Sequence, residues 1–242
     1  MNNEEKMLAE AKRTIEEISD EELENFIRGF SATRQMMAYY RCAMMEIETK
    51  FKVLNEEFSM LQNYNPIETI KSRLKTPESI AEKMRRKNLP MDVEAIEREM
   101  HDIAGIRVIC PFITDIYMLA GCLLKQDDIC LVEKKNYIKT PKENGYRSLH
   151  LIVKTPIFLR NEKRFVKVEI QFRTIAMDFW ASLEHRLRYK KEIDSEIAGH
   201  LAVELKECAD TSAALDRKME RIKDDIERHT QNREAEVEGM FL

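Results

Sequence analysis

The sequence predicts an α+β fold, a five-stranded sheet with covering helices set between long N- and C-terminal helices. Three observations carry this reading. Only 6 glycines and 6 prolines occur in 242 residues, which leaves little room for linkers or a turn-rich β architecture, and a chain of this length buries one substantial core. Apolar residues recur at helical spacing at both ends of the chain. Between those ends, short β-branched or apolar runs alternate with helical stretches.

From Glu4 to about Leu61 the chain has no proline and one glycine, and Met36, Met37, Tyr40, Met44, Ile47, Phe51, Leu54 and Phe58 fall on a helical stripe. Two helices are expected, breaking near Ser19-Asp20 or at Gly29. After Asn65-Pro66, strands are expected at 67–74, 103–110, 128–133, 148–154 and 165–173, with helices at 77–87, 114–126 and 174–190. Beyond Asp194, the spacing of Ile197, Leu201, Leu205, Leu215, Met219, Ile222 and Ile226 predicts one or two long helices that fray after about Arg233. The chain thus divides into an N-terminal helical extension (1–64), a mixed domain (65–191) and a C-terminal helical extension (192–242). The terminal helices are expected to pack on each other or on another subunit.

No apolar run approaches the roughly 20 residues that span a bilayer, and the N-terminus enters charged helical sequence directly. The expectation is a soluble, cytoplasmic protein with no membrane contact. Cys42, Cys110, Cys122, Cys130 and Cys208 are odd in number, sit in apolar contexts and form no Cys-x-x-Cys pair, so they read as reduced core residues. The net charge of −4 conceals a segregation: residues 71–191 carry +9, between ends of −6 and −7. Such a field gathers a polyanion on the central segment while the acidic ends resist long nucleic acid, which favours a small phosphorylated substrate over DNA.

Neither a Gly-x-x-x-x-Gly-Lys-Ser/Thr nor a Gly-x-Gly-x-x-Gly sequence occurs, so phosphates must be held by cationic side chains. The segment from Arg73 to Ser79 runs off a strand into a helix with Pro77 in its first turn, where free N–H groups attract anions. Arg73 and Lys75, two apart, point to one side; an N-capped helix with a solvated basic face is the plainer alternative. His101-Asp102 suggests a metal-dependent phosphohydrolase, but His150, His185, His200 and His229 lack suitable spacing to complete it. Asp102 could instead pair with Glu169 to hold Mg²⁺, a hard ion suited to carboxylates and triphosphate oxygens. In Phe165–Arg173 the even positions are apolar, so Lys167, Glu169, Gln171 and Arg173 share the other face. That face is either merely solvated or a metal-assisted phosphate site. The loop from Lys134 to His150 sets Tyr137 and Tyr146 beside cations, a platform on which a base could stack.

Five phrases carry a resemblance: Arg73-x-Lys75-x-Pro77-x-Ser79, Asp102-Ile-Ala-Gly-Ile-Arg107, Pro141-Lys-x-Asn-Gly145-Tyr146-Arg-Ser-x-His150, Val168-Glu169-Ile-Gln171-x-Arg173-Thr, and Phe179-Trp180-Ala-x-x-Glu184-His185 with Tyr189-Lys190. Together they resemble the synthetase domain of the RelA/SpoT superfamily, and over 65–191 they are similar to the small alarmone synthetases. The resemblance implies a nucleotidyltransferase-like mixed sheet and a (p)ppGpp synthetase (GTP pyrophosphokinase) that moves pyrophosphate from ATP to the 3′-hydroxyl of GDP or GTP. By it, Arg73 and Arg107 sandwich adenine, and Lys75 and Ser79 contact the ATP phosphates. Asp102 and Glu169 hold Mg²⁺, with Glu169 drawing the proton from the acceptor. Tyr146 stacks on guanine, Lys142, Arg147 and His150 place the acceptor's sugar and phosphates, and Gln171 supports the site. A homotetramer, and regulation by single-stranded RNA or by alarmone, are further implications. Many relatives have Asp where this chain has Asn136. Two alternatives stand beside this reading: a toxin-type pyrophosphokinase acting on the 3′ end of tRNA, and an RNA-binding regulator without catalysis.

Overall fold

The computed structural model describes residues 20–188 and 195–239. Helix α1 (Asp20–Gln62) leads into β1 (Thr69–Leu74), followed by α2 (Pro77–Arg86), α3 (Val93–Glu99), β2 (Ala104–Cys110), α4 (Ile113–Leu124), β3 (Cys130–Asn136), β4 (Leu149–Phe158), β5 (Lys163–Thr174), α5 (Ile175–Arg188) and α6 (Ser195–Gly239). The five strands form one mixed sheet in the order β1-β2-β5-β4-β3, antiparallel except for the central β2/β5 pair.

The alternation in β5 decides which face is which. Val166, Val168, Ile170 and Phe172 are buried against α1, where Phe51 meets Phe172 edge-on at 5.5 Å between ring centroids. On α1, Met36, Tyr40, Ala43, Ile47, Phe51 and Leu54 recur every three or four residues and are all buried, so a single helical stripe covers the sheet. Removing a side chain such as Ile47 or Phe51 from water contributes about 1.5–3 kcal/mol each. Ile116, Leu119, Ala120 and Leu123 of α4 extend the same layer. The opposite face, with Glu169 and Gln171, is left for the site.

Several expectations are corrected. Gly29 does not break α1; the first of the two helices expected at the N-terminus lies outside the described residues, as do Tyr189 and Lys190. The C-terminal pattern forms one helix that continues to Gly239 rather than fraying after Arg233. Helix α3 was not expected, although Asp92 accepts a hydrogen bond from Ala95 N at 2.7 Å, an N-cap that the Asp-Val-Glu-Ala sequence announces. Strand β4 continues past 154 through Pro156; its pairing with β3 ends at Lys154, so a residue without an N–H is tolerated there. Of the cysteines, Cys110 is buried, Cys42 and Cys122 are half-buried, and Cys130 and Cys208 are exposed, on an edge strand and on the solvent side of α6. No helix among the described residues is long and apolar enough to cross a membrane.

Candidate active site

Above the open face of β1, β2 and β5 lies a cavity of about 330 Å³ lined by Lys71, Arg73, Lys75, Asp102, Arg107, Glu169 and Gln171, with Ser72, Gly105 and Ile106 as its floor. The strand register builds it. Arg73 pairs with Gly105, Gly105 with Glu169, and Arg107 with Gln171, so residues from three neighbouring strands rise side by side. Asp102 stands just before β2, and its Oδ2 accepts from Lys75 Nζ at 2.6 Å and from Lys83 Nζ at 2.8 Å. Burial pushes the Asp102 carboxyl up, but the two lysines more than reverse this and leave it below the ordinary value. Its other oxygen, Oδ1, is buried and has no hydrogen-bond partner. Burial also pushes Glu169 up; hydrogen bonds from His150 Nδ1 (3.2 Å) and Gln171 Nε2 (3.2 Å) hold it below the usual carboxylate range, against the opposing charge of Asp102. The two carboxylates therefore sense each other across the cavity and stay ionised near neutrality.

Beside Glu169 a second cluster forms on the loop before β4. Gly145, at φ +87°, turns the chain so that Tyr146 faces His150, whose Nε2 lies 2.9 Å from the Tyr146 hydroxyl. Arg173 Nη2 donates to the same hydroxyl at 2.9 Å and to Gln171 Oε1 at 3.3 Å. The rings of Tyr137, Tyr146 and His150 meet edge to face with centroids 5.3–5.9 Å apart, and Lys142 Nζ lies 4.8 and 5.0 Å from the two tyrosine ring centroids. One side of the site is thus a cationic well with two carboxylates; the other is an aromatic platform joined to it through Glu169 and Gln171.

The family model described as a region found in RelA/SpoT proteins matches residues 72–194. The chain belongs to the RelA/SpoT family. It is 46% identical over 188 residues to the GTP pyrophosphokinase YwaC of Bacillus subtilis, a match covering 78% of this chain and 89% of that one. The crystal structure of small alarmone synthetase 1 from Bacillus subtilis bound to its product pppGpp superposes with a TM-score of 0.73 at 35% identity, covering 81% of this chain and 98% of that one. The same protein bound to AMPCPP gives a TM-score of 0.68 at 33% identity over 82% and 99% of the two chains. The expected fold class is thereby shown: a mixed five-stranded α+β sheet with long terminal helices, shared with small alarmone synthetases.

In this RelA/SpoT chain the structure brings Arg73, Lys75, Asp102, Arg107, Glu169 and Gln171 to one cavity and sets Lys142, Tyr146 and His150 beside it. Two expected residues lie elsewhere. Ser79 is half-buried in the first turn of α2 and outside the cavity lining; its N–H donates to the N-cap Thr76 Oγ1 at 3.3 Å. Arg147 turns away toward α6, donating to Ala209 O at 3.3 Å and to Asp210 Oδ1 at 3.0 Å. Asn136, where many relatives have Asp, accepts from Ile138 N and Lys139 N at 3.1 Å each with its Oδ1, a task for which the oxygen suffices and the charge does not matter. Sequence reasoning missed Lys83, the first cation of a basic stretch, and Asp178, which reads as one more polar residue in the first turn of a helix.

Proposed function

We propose that this chain is a (p)ppGpp synthetase that transfers pyrophosphate from ATP to the 3′-hydroxyl of GDP or GTP and releases AMP. The observation that carries it is the cavity itself, two ionised carboxylates facing each other among lysines and arginines on the open face of the sheet. The relatives, a GTP pyrophosphokinase and an alarmone synthetase seen with pppGpp and with AMPCPP, support both substrates. Neither a tRNA acceptor nor a non-catalytic RNA-binding role finds support among them.

Arg73 and Arg107 hold adenine between guanidinium planes, Lys75 meets the ATP phosphates, and Ser79 reaches them from the start of α2. Tyr146 carries guanine. Lys142, the more flexible of the two cations on that ring, moves from ring to phosphate as the base stacks. His150 and Gln171 hold Glu169 in place, and Arg147 contributes by fixing the loop. Asp102 and Glu169 would hold Mg²⁺. The buried, unpartnered Oδ1 of Asp102 fits a cation, and because the described residues contain no cluster of three or more acidic, His or Cys ligands, the remaining ligands would be substrate and water oxygens, as Mg²⁺ prefers. When bound, the ion neutralises charge on the transferring phosphates. Glu169 accepts the proton of the 3′-hydroxyl as its oxygen bonds to the β-phosphorus of ATP and the bond to the α-phosphate oxygen breaks, leaving AMP. Rate comes mainly from alignment and charge neutralisation.

The catalytic unit is taken as 65–191, with 1–64 and 192–242 as helical extensions that assemble a cytoplasmic homotetramer open to alarmone or single-stranded RNA as regulator. Leu215, Met219, Ile222 and Ile226 on α6 and Phe179 on α5 are exposed, which supports assembly through this side. The deciding experiment mixes protein, Mg²⁺, ATP labelled at the γ-phosphate, and GDP or GTP. Label in a more highly phosphorylated guanine nucleotide, with AMP in equal amount, is the expected result; no transfer to any free guanine nucleotide overturns the reading.

A further inference from the structure

Besides Glu169, a second carboxylate, Asp178, touches both halves of the site. It sits in the first turn of α5 with its side chain 11% exposed, and three cations from three neighbouring strands converge on it. Its Oδ1 accepts from Arg107 Nη1 of β2 and from Arg173 Nη1 of β5, both at 3.0 Å, and its Oδ2 accepts from Lys71 Nζ of β1 at 3.0 Å. Burial pushes the Asp178 carboxyl up, and the lysine and two guanidinium groups bring it below the ordinary value, so it is charged whenever the site is in use.

The two arginines do different work beyond this contact. Arg107 reaches into the cavity, with its side chain 34% exposed. Arg173, 6% exposed, holds the Tyr146 hydroxyl and Gln171 Oε1 with its other terminal nitrogen and lies 5.2 Å from the Tyr146 ring centroid. Both guanidinium groups are desolvated and repel each other: burial first, then the charge of Arg173, pulls the Arg107 pKa down. The carboxylate between them offsets that repulsion and ties the two groups to one point. A single oxygen thereby sets the distance from the donor-side arginine to the arginine that positions the acceptor platform. In-line transfer needs that distance fixed to a fraction of an ångström.

We propose that Asp178 is a positioning residue that registers the ATP half-site against the guanine-nucleotide half-site through Arg107 and Arg173. This rests on the synthetase reading above, and the measurements separate the two. Synthesis by the unaltered protein tests the reading. The half-sites are then probed individually by equilibrium binding of AMPCPP and of GDP, which needs no turnover. Asp178→Asn keeps the shape and removes the charge. The expected result is roughly tenfold weaker binding of each nucleotide, with a fall in kcat beyond that, since alignment as well as affinity is lost. The pattern identifies the role. In an Arg107→Ala background Asp178→Asn no longer changes AMPCPP binding but still weakens GDP; in an Arg173→Ala background the reverse holds. Asp178→Glu keeps the charge and moves it by one methylene, so it guards against a simple folding defect and is expected to retain the fold with smaller losses in both half-sites. Affinities within twofold of the unaltered protein in both variants, or an Asp178→Asn effect that persists undiminished in the matching arginine background, would overturn the proposal.

Discussion

Arg73 and Arg107 sit on β1 and β2, tied to the sheet by backbone pairing, with Asp102 just ahead of β2, whereas Tyr146 and Arg147 sit on a loop whose far side rests on α6. The donor half is rigid because a strand residue can shift only with its ladder. The acceptor half depends on a helix that is otherwise largely solvent-facing: Gly145 lies so near α6 that an added Cβ would come within 2.5 Å of Ala209 Cβ, and Trp180, Ala181 and Ala209 form a small apolar cluster against Tyr146. On the proposed reading, fixed charge on the sheet would serve the phosphates and an ion, and a loop-borne platform would serve the base.

Substitutions can break this contrast in order of size. Glu169→Gln removes charge from the point where the halves meet and is expected to lower turnover by about a thousandfold or more with the thermal transition intact; label transfer and thermal unfolding measure the two, and near-normal turnover would dissolve the assignment. Arg73→Ala should weaken ATP about tenfold through lost stacking while leaving the guanine nucleotide's KM unchanged. Gly145→Ala should do the reverse, because a side chain at φ +87° is strained and meets Ala209, costing about 1–3 kcal/mol and raising the acceptor's KM alone. Smaller still, Arg147→Ala and Asp210→Ala should each raise the acceptor's KM by only a few-fold, since Asp210 is half exposed. The two together should do little more than either, whereas direct phosphate binding by Arg147 would make Arg147→Ala much the worse of the pair.

Acidification sharpens the same contrast through stability. Asp178 has a lowered folded pKa, so its contribution is full above its ordinary value of 3.8 and is lost as pH falls through the folded value. Asp216, which accepts from Thr174 Oγ1 at 2.5 Å and so joins α6 to the end of β5, has a folded pKa raised by burial. Its contribution is full below 3.8 and is lost as pH rises through that raised value. Hydrogen exchange, corrected for the intrinsic pH dependence of exchange, is therefore expected to show α6 gaining protection as pH falls toward 3.8, an effect that Asp216→Asn abolishes, with the central strands unchanged.

Much of this was legible beforehand because it rests on period and local chemistry. The alternation in β5 separates Val168, Ile170 and Phe172 from Glu169 and Gln171 whatever the tertiary context, and Thr76-Pro77 announces the start of α2. What stayed hidden depends on which way a side chain turns once its neighbours arrive. Arg147 lies within a phrase rich in site residues, yet the +87° turn at Gly145 directs it to α6. Asp178 shows no signal because its partners come from positions 71, 107 and 173, brought together only by the strand order. The exposed stripe on α6 reads in sequence as ordinary amphipathic helix, and periodicity says nothing of what covers it.

The parallel pairing of β2 with β5 has a consequence for synthesis of the protein. Gly105 finds its partner Glu169 only across the whole of α4, β3 and β4. A nascent chain can shape its donor strands and the α1 layer early, but the second carboxylate emerges late and the central ladder closes last, the slow step expected of a long-range parallel contact. The ribosome therefore holds an enzymatically silent chain until β5 has left the exit tunnel, and a message truncated before that point yields a product with no power to make a signal.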